Sequence, residues 1–407
     1  MSNEIELGVR QGEVIPELQE QPAGEPTPRP AQIKKSLILL SSLGIMSVVN
    51  GTLIGWNFAL VGGYGRFLVA AFVLGSAFLG YYMCVAEMSS ALPFSGGSYG
   101  IARCTVGYYW GFLAGCSEVL SFIAATAFNN YGITNIFVGF FPRANHFQPL
   151  ILFALYIGQM AVCGMNVNIF WKTCVVLSLF AAVLILAGCF GNVAHVDFEE
   201  NVRVEGSLWV SPIPITLITA FPSIFGFYSG VDTIVLAVDD AEEPRKNIPR
   251  ALVIASTVIF TFAMLVMIIG PSTAPGTEGL MDHFFTLTPG LMRVFGGSEE
   301  VLVLIQVIPL FGSVCTQQYA YSKLVRSMAD SKLLPSVFSK RVGHGKFAIW
   351  AAVVGSCIGY FLCILQYLDP PSVYGVNAMA ILFNFTYTPI QLIAYIRLKT
   401  HHFNLPR

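Results

Sequence analysis

Two stretches decide the fold: Val48-Val-Asn-Gly-Thr-Leu-Ile-Gly-Trp-Asn-Phe58 and Ile224-Phe-Gly-Phe-Tyr-Ser-Gly-Val-Asp232. Each is an apolar run interrupted by two glycines four residues apart, Gly51 with Gly55 and Gly226 with Gly230, and the two pairs are separated by 175 residues. Glycine-interrupted hydrophobic segments at corresponding places in two halves of a chain are the sequence mark of a transporter whose substrate sits at the bilayer midplane.

The rest of the chain places these stretches in lipid. Of 407 residues, 55% are hydrophobic and 11% charged, too little polar surface to solvate a globule of this size. Charge-poor runs of about 20 residues, the length that crosses a hydrocarbon core of roughly 30 Å, occur near 37–61, 67–86, 111–137, 148–165, 173–191, 214–238, 251–271, 301–320, 347–365 and 373–396. The pattern predicts an all-α integral membrane protein with ten transmembrane helices. Five plus five spans give two halves of opposite topology, a 5+5 inverted repeat with broken helices 1 and 6. A membrane β-barrel would instead show alternating segments of about ten residues.

Residues 1–36 lack the apolar content to offset their ordering entropy and are expected to be a disordered cytoplasmic tail. They hold no apolar core of a cleaved signal peptide. The permease core is expected over 37–396, with a short cytoplasmic tail over 397–407. With both termini inside, 18 of the 22 Lys and Arg residues fall on the cytoplasmic side, and only Arg66, Arg143, Arg203 and Arg293 fall outside. That bias satisfies the positive-inside rule and points to a multi-pass protein, in the plasma membrane. The nine cysteines show no CxxC spacing and no extracellular pair, so free thiols are expected. The Asn50 and Asn384 sequons lie inside spans, out of reach of glycosylation.

Unwinding a helix in hydrocarbon exposes N–H and C=O groups that cost several kcal/mol each if unpaired, so a break persists only where protein, water or ligand completes them. A zwitterion suits both kinds of group. The expected donors are the backbones of Asn50, Gly51, Thr52 and Leu53, beside Gly55. The expected carbonyl side is Phe225, Gly226 and Phe227. For either glycine pair alone, a close packing face in an unbroken helix explains the spacing equally well.

Asp232, just past the second break, is an intramembrane acid expected to pair with polar groups or carry a proton. Glu118, about 11 residues and hence near 16 Å into the third helix, is a second, with interhelical hydrogen bonding as the alternative. Trp56, Phe227 and Tyr228 flank the breaks as an aromatic lid or cation-contacting wall, or simply as packing. Gln159, Gln306, Gln317 and Gln318 read as interhelical glue. No nucleophile with its base, metal-spaced cluster or phosphate loop is visible, which argues against an enzyme and against a cofactor beyond coupling to protons or sodium. The GGSYG run at 96–100 reads as a turn. Nucleic acid binding has no support.

Four stretches resemble the amino acid/polyamine/organocation superfamily of permeases: AEMSSALPFSGGSYGIARCTVG at 86–107, the first-helix break, FGFYSGVDTIVLAVDDAEEPRKNIPRAL at 225–252 and YSKLVRSMADSKLLPSVFSK at 321–340. The similarity runs from about 37 to 407. It implies the broken-helix inverted repeat and a small amine-bearing solute as partner, an amino acid or, from GWN at 55–57 and AEEP at 241–244, ethanolamine. It assigns Gly51, Thr52 and their neighbours to the carboxylate or polar head, Phe225, Gly226 and Phe227 to the amine, and Asp232 to the acid of the helix 6 motif. It places the 321–340 stretch in a cytoplasmic loop. Many relatives carry an aromatic gate where Gly226 stands, a role that falls here to Phe227 or Tyr228. Some carry a midmembrane lysine in helix 5, where this chain has only Lys172 at the helix start. Most have twelve spans, so the chain reads as a ten-helix core, with a natural short form and a truncation before helices 11 and 12 as the two alternatives. At the helix 6 exit, Glu242 and Glu243 lie near Arg245, Lys246 and Arg250, a charge cluster able to be bonded in one gate state and broken in another, although exposed pairs contribute only about 0–1 kcal/mol each.

Overall fold

The side chains that point outward from this chain are apolar, and those that point inward include many polar ones. Val69, Phe72 and Val73, then Phe153 and Ile157, then Val176, Leu179 and Val183 are all exposed, while Ser47, Asn129, Asn130, Gln159, Ser313 and Gln318 are buried. In water such a surface would drive aggregation. In lipid it matches its solvent, and the polar interior finds hydrogen bonds between helices.

The computed structural model describes residues 36–94, 96–164, 167–204, 207–209, 213–340 and 347–400, which belong to one compact unit. The tail expected over 1–36 lies outside these residues except for its last position, as does the end of the chain from 401. The described residues form α1 Leu37–Leu53, α2 Tyr64–Ala91, α3 Gly97–Thr105, α4 Tyr108–Phe140, α5 Gln148–Gly164, α6 Val167–Phe190, α7 Ile213–Tyr228, α8 Pro244–Ile269, α9 Gly276–Leu280, α10 Thr288–Phe295, α11 Glu299–Asp330, α12 Ile349–Leu368 and α13 Ser372–Thr400. Two 3₁₀ segments, Asn57–Gly62 and Val231–Asp240, continue α1 and α7 beyond a break. Eight helical stretches among the described residues are long and apolar enough to cross a membrane, α1 and α7 with their 3₁₀ continuations standing apart from these. The molecule is a multi-pass membrane protein.

Both breaks exist, and their positions explain the glycine spacing. α1 runs through Asn50, Gly51, Thr52 and Leu53 and stops before Gly55, whose φ of 83° an L side chain rarely adopts. α7 likewise runs through Gly226 and stops before Gly230 at φ 116°. The first glycine of each pair remains helical and the second makes the break. A Cβ on Gly51 would lie 2.1 Å from the Gly226 carbonyl oxygen and 2.8 Å from the Phe227 Cα, so the two broken helices cross backbone to backbone. The packing alternative therefore holds for Gly51, and the unwinding expectation for Gly55 and Gly230.

Three readings of the sequence change here. The GGSYG run is not a plain turn, since α3 starts at Gly97. The connection between the charge-poor runs at 251–271 and 301–320 is itself partly helical, holding α9 and α10. The resemblance placed 321–340 in a loop, but α11 extends to Asp330 and carries Lys323 and Arg326 on its last turns. All nine cysteines are free thiols.

Because backbone cannot give way as a flexible side-chain tip can, Gly51→Ala is expected to cost at least the roughly 1–3 kcal/mol typical of overpacking. Gly226→Ala, whose Cβ would meet nothing within 4 Å, is expected to leave the melting temperature unchanged. Thermal unfolding of the two purified variants compares them directly.

Candidate functional site

At the first break, the chain direction reverses the expected polarity. Asn50, Gly51, Thr52 and Leu53 form the C-terminal end of α1, and the Ile54 N–H still bonds the Asn50 carbonyl at 3.0 Å. A helix C-terminus leaves carbonyls over, not N–H groups, so the donors expected from residues 50–53 are corrected to acceptors. Part of this acceptor set is already used. The Thr286 N–H donates to the Leu53 carbonyl at 3.1 Å, and the Thr286 hydroxyl lies 3.2 and 3.4 Å from the Leu53 and Thr52 carbonyls. Trp56 Nε1 donates to Thr286 Oγ1 at 3.0 Å, while the indole stacks on Phe67 and meets Phe227. Trp56 is thus fully buried beneath the segment joining α9 to α10, part of the break's own packing. Asn57 fastens the same segment by donating to the Leu280 and His283 carbonyls.

The second break also presents a helix C-terminus. The Phe225 carbonyl accepts from the Ser229 N–H at 3.0 Å, and the Tyr228 carbonyl accepts from the Tyr82 hydroxyl. Gly226 is exposed although Phe225 and Phe227 beside it are buried, and apart from its chain neighbours and its own helix backbone nothing lies within 4 Å of where its Cβ would be. Ser223, one helical turn earlier on that face, reaches the Gly55 carbonyl at 3.5 Å. An open space therefore borders both breaks. Phe225 packs instead against Phe78 and Phe385.

A polar network ties the breaks to α4 and α11. The Ser47 hydroxyl donates to the Gly230 carbonyl at 2.7 Å, and Thr233 reaches Ser47 Oγ. Ser313 lies within 3.2 Å of the Ser47 carbonyl and of Asn50 Oδ1, Asn50 donates to Asn129, and Asn129 donates to Gln317. Asn50 thus enters through its side chain. Ser47, Asn129, Ser313 and Gln317 had no local motif to single them out as one cluster, because their spacing in sequence carries no period.

Asp232 is buried two residues beyond Gly230, with its Oδ2 accepting from the Tyr387 hydroxyl at 3.2 Å; Tyr387 also receives the Asn384 amide. Glu118 is likewise buried, on α4.

Beyond the second 3₁₀ segment, the charge cluster expected at the helix 6 exit reduces, among the described residues, to one exposed pair, Lys246 with Glu243 at 2.9 Å. The buried clamp lies one step earlier. Asp240 receives Lys323 at 2.7 Å and the Tyr319 hydroxyl at 3.2 Å, and Arg326 bridges Asp239 and Asp330 at 3.4 Å each. The clamp joins the C-terminal end of the second 3₁₀ segment to α11. Burial pushes the Asp240 carboxyl up, but the Lys323 charge and hydrogen bond, the Tyr319 hydroxyl and the Arg326 charge together hold it below its ordinary value. A depressed carboxyl contributes stability that is complete above its unfolded value of about 3.9 and is lost only as pH falls through the lower folded value. The clamp is therefore expected to stay intact from pH 5 to 8. Asp240→Asn, which leaves the Lys323 charge without its partner, is expected to lower stability by about 1.5–3 kcal/mol, read as a drop in melting temperature that Glu243→Gln does not reproduce.

Comparison with known proteins accounts for this architecture. A family model described as amino acid permease matches residues 36–403. The probable amino-acid permease meu22 of Schizosaccharomyces pombe is 24% identical, with 77% of this chain and 58% of that protein covered. The Asc-type amino acid transporter 1 of Mus musculus is 25% identical over 62% of this chain and 49% of that protein. The aromatic amino acid transport protein AroP of Corynebacterium glutamicum is 23% identical over 81% and 73%. The chain thus spans about half the length of several curated relatives it matches. Among solved structures, MhsT in complex with L-phenylalanine superposes with a TM-score of 0.59 at 14% identity, covering 88% of this chain and 87% of that one. These relatives are permeases and transporters by name, and the chain belongs to the amino acid permease family.

Proposed function

We propose that this chain carries an amino acid, or a closely related small amine, across a membrane by alternating access around the two breaks, driven by a proton or sodium gradient. In this reading α1 and α7 with their 3₁₀ continuations are spans 1 and 6 of ten, arranged as two inverted halves of five. The plasma membrane is the proposed location, with both termini in the cytoplasm, on the strength of the 18 to 4 division of basic residues.

The observation that carries the reading is the open space at Gly226, set between two helix ends whose backbones touch. Carbonyls at the ends of α1 and α7 suit an ammonium group, and the first N–H groups beyond the breaks, at Gly55 to Asn57 and at Gly230 and Val231, suit a carboxylate. A zwitterion bridging both completes groups that lipid cannot. Phe227, Tyr228 and Trp56 form the aromatic wall around it. The names of the relatives support an amino acid as the solute.

Purified protein in proteoliposomes is expected to take up at least one labelled amino acid saturably. Gly226→Leu, which fills the open space, is expected to reduce that uptake at least about tenfold, the loss of roughly 1.4 kcal/mol or more of interaction, while Gly226→Ala changes it less and both variants keep wild-type melting temperatures. A panel of the standard amino acids giving no uptake, or Gly226→Leu with unchanged uptake, overturns the reading.

A further inference from the structure

The apolar surface of this molecule ends, at one place, in both aromatic rings and positive charge. α13 exposes Leu382, Ile393 and Ile396 along one face, and the exposed Arg397, one turn past Ile393, closes that face near the helix end at Thr400. α4, packed against α13, opens with Tyr108, Tyr109 and Trp110, which are 64%, 72% and 46% exposed. Tyrosine and tryptophan rings collect at the level of lipid headgroups, where an apolar body and a polar tip are both satisfied.

Two guanidinium groups reach the same short stretch of chain. Arg397 Nη1 donates to the Val106 carbonyl at 3.4 Å, in the turn between α3 and α4. Arg103, three residues earlier on the last turn of α3, donates to the Tyr99 hydroxyl at 2.8 Å and the Tyr108 hydroxyl at 3.1 Å. Its guanidinium carbon lies 4.5 Å from the centre of the exposed Tyr108 ring. Backbone fixes this position, since a Cβ on Gly111 would sit 2.8 Å from the Arg103 Cα.

Neither arginine has an acidic partner. No carboxylate lies within 4.0 Å of Arg103 or Arg397 among the described residues, and Glu87 of α2 is taken by Lys399 and the Tyr395 hydroxyl, both on α13. A guanidinium carries five N–H groups in a planar fork, so both side chains keep donors after these neutral contacts. A phenol holds such a fork in place and leaves its charge unanswered. A phosphodiester supplies what is missing, one negative charge spread over oxygens that accept from the fork.

We propose that Arg103 and Arg397 hold the phosphate of an anionic phospholipid, whose acyl chains lie along the apolar face of α13 and the rings that open α4. A free phosphate offers the same oxygens but nothing to cover Ile393, Ile396 and Trp110, and that continuity of apolar surface with charge favours the lipid. The bound headgroup ties the α3–α4 turn to the end of α13. Such a site is independent of the space at Gly226 and of any solute held there.

Purified full-length protein in detergent micelles is titrated with dioleoylphosphatidylglycerol, with dioleoylphosphatidylcholine and with inorganic phosphate, and its melting temperature is followed. Phosphatidylglycerol is expected to raise it saturably. Phosphatidylcholine, with the same chains but no net charge, and inorganic phosphate are expected to raise it little. Arg397→Gln and Arg103→Gln are each expected to move the titration midpoint about fivefold to higher phosphatidylglycerol, the ~1 kcal/mol that one basic side chain contributes near an anionic lipid surface. Arg245→Gln, which removes an exposed charge on the first turn of α8, is expected to leave the midpoint in place. Arg397→Gln decides alone should Arg103→Gln not fold for want of its two phenol contacts. An unchanged midpoint in the folded arginine variants, an equal response to phosphatidylcholine, or an equal loss in Arg245→Gln overturns the proposal. An equal shift with inorganic phosphate overturns it too, by making the occupant a free anion.

Discussion

The backbone contact between Gly51 and Gly226 is the constraint on which the site depends. Two helices in lipid gain little from burying apolar side chains against each other, because the surrounding tails are equally apolar. They approach this closely only where a side chain is missing from one surface, and Gly51 removes it. Once the axes are that near, four residues later each helix meets a glycine at positive φ and turns aside. The crossing and the two breaks are then one local feature, with helix ends converging on a small volume that neither chain segment fills.

What surrounds this volume divides into two closures of different chemistry. On one side, the segment before α10 lays Phe285 and Thr286 against Ile54 and the end of α1, using backbone and hydroxyl hydrogen bonds with Trp56 stacked beneath. On the other, Asp239 and Asp240 are held by Arg326 and Lys323, an ionic closure. Asp232 lies between the two, in the 3₁₀ segment that leads to the ionic closure.

Much of this was legible in the sequence because two glycine pairs of equal spacing fall at corresponding places in the two halves of the chain. The breaks were located to within four residues from the pairs alone, and Glu118 and Asp232 stood out as acids in apolar runs. The division of labour within each pair was not legible, since a contact glycine and a turn glycine are the same letter, and only the φ of 83° at Gly55 and 116° at Gly230 tells them apart. The polarity of the first break was misread because Asn50 to Leu53 were taken as backbone donors, whereas α1 ends at Leu53 and leaves carbonyls over. Thr286 and the pairing of Asp240 with Lys323 were missed for another reason. Their partners are 233 and 83 residues away, and no periodic pattern encodes a contact at that separation.

Ser47 sets how the parts can move relative to each other. Its hydroxyl and carbonyl together engage the Gly230 carbonyl, Thr233, Ser313 and Gln317, so one residue on α1 fastens both the second break and α11. A tilt of α1 cannot stretch one of these bonds while sparing the rest; they share an anchor and fail together. Rearrangement around such an anchor is switch-like, passing between two bonded arrangements with little population in the middle, which is the behaviour needed if the two sides of a membrane are never to be joined by an open path.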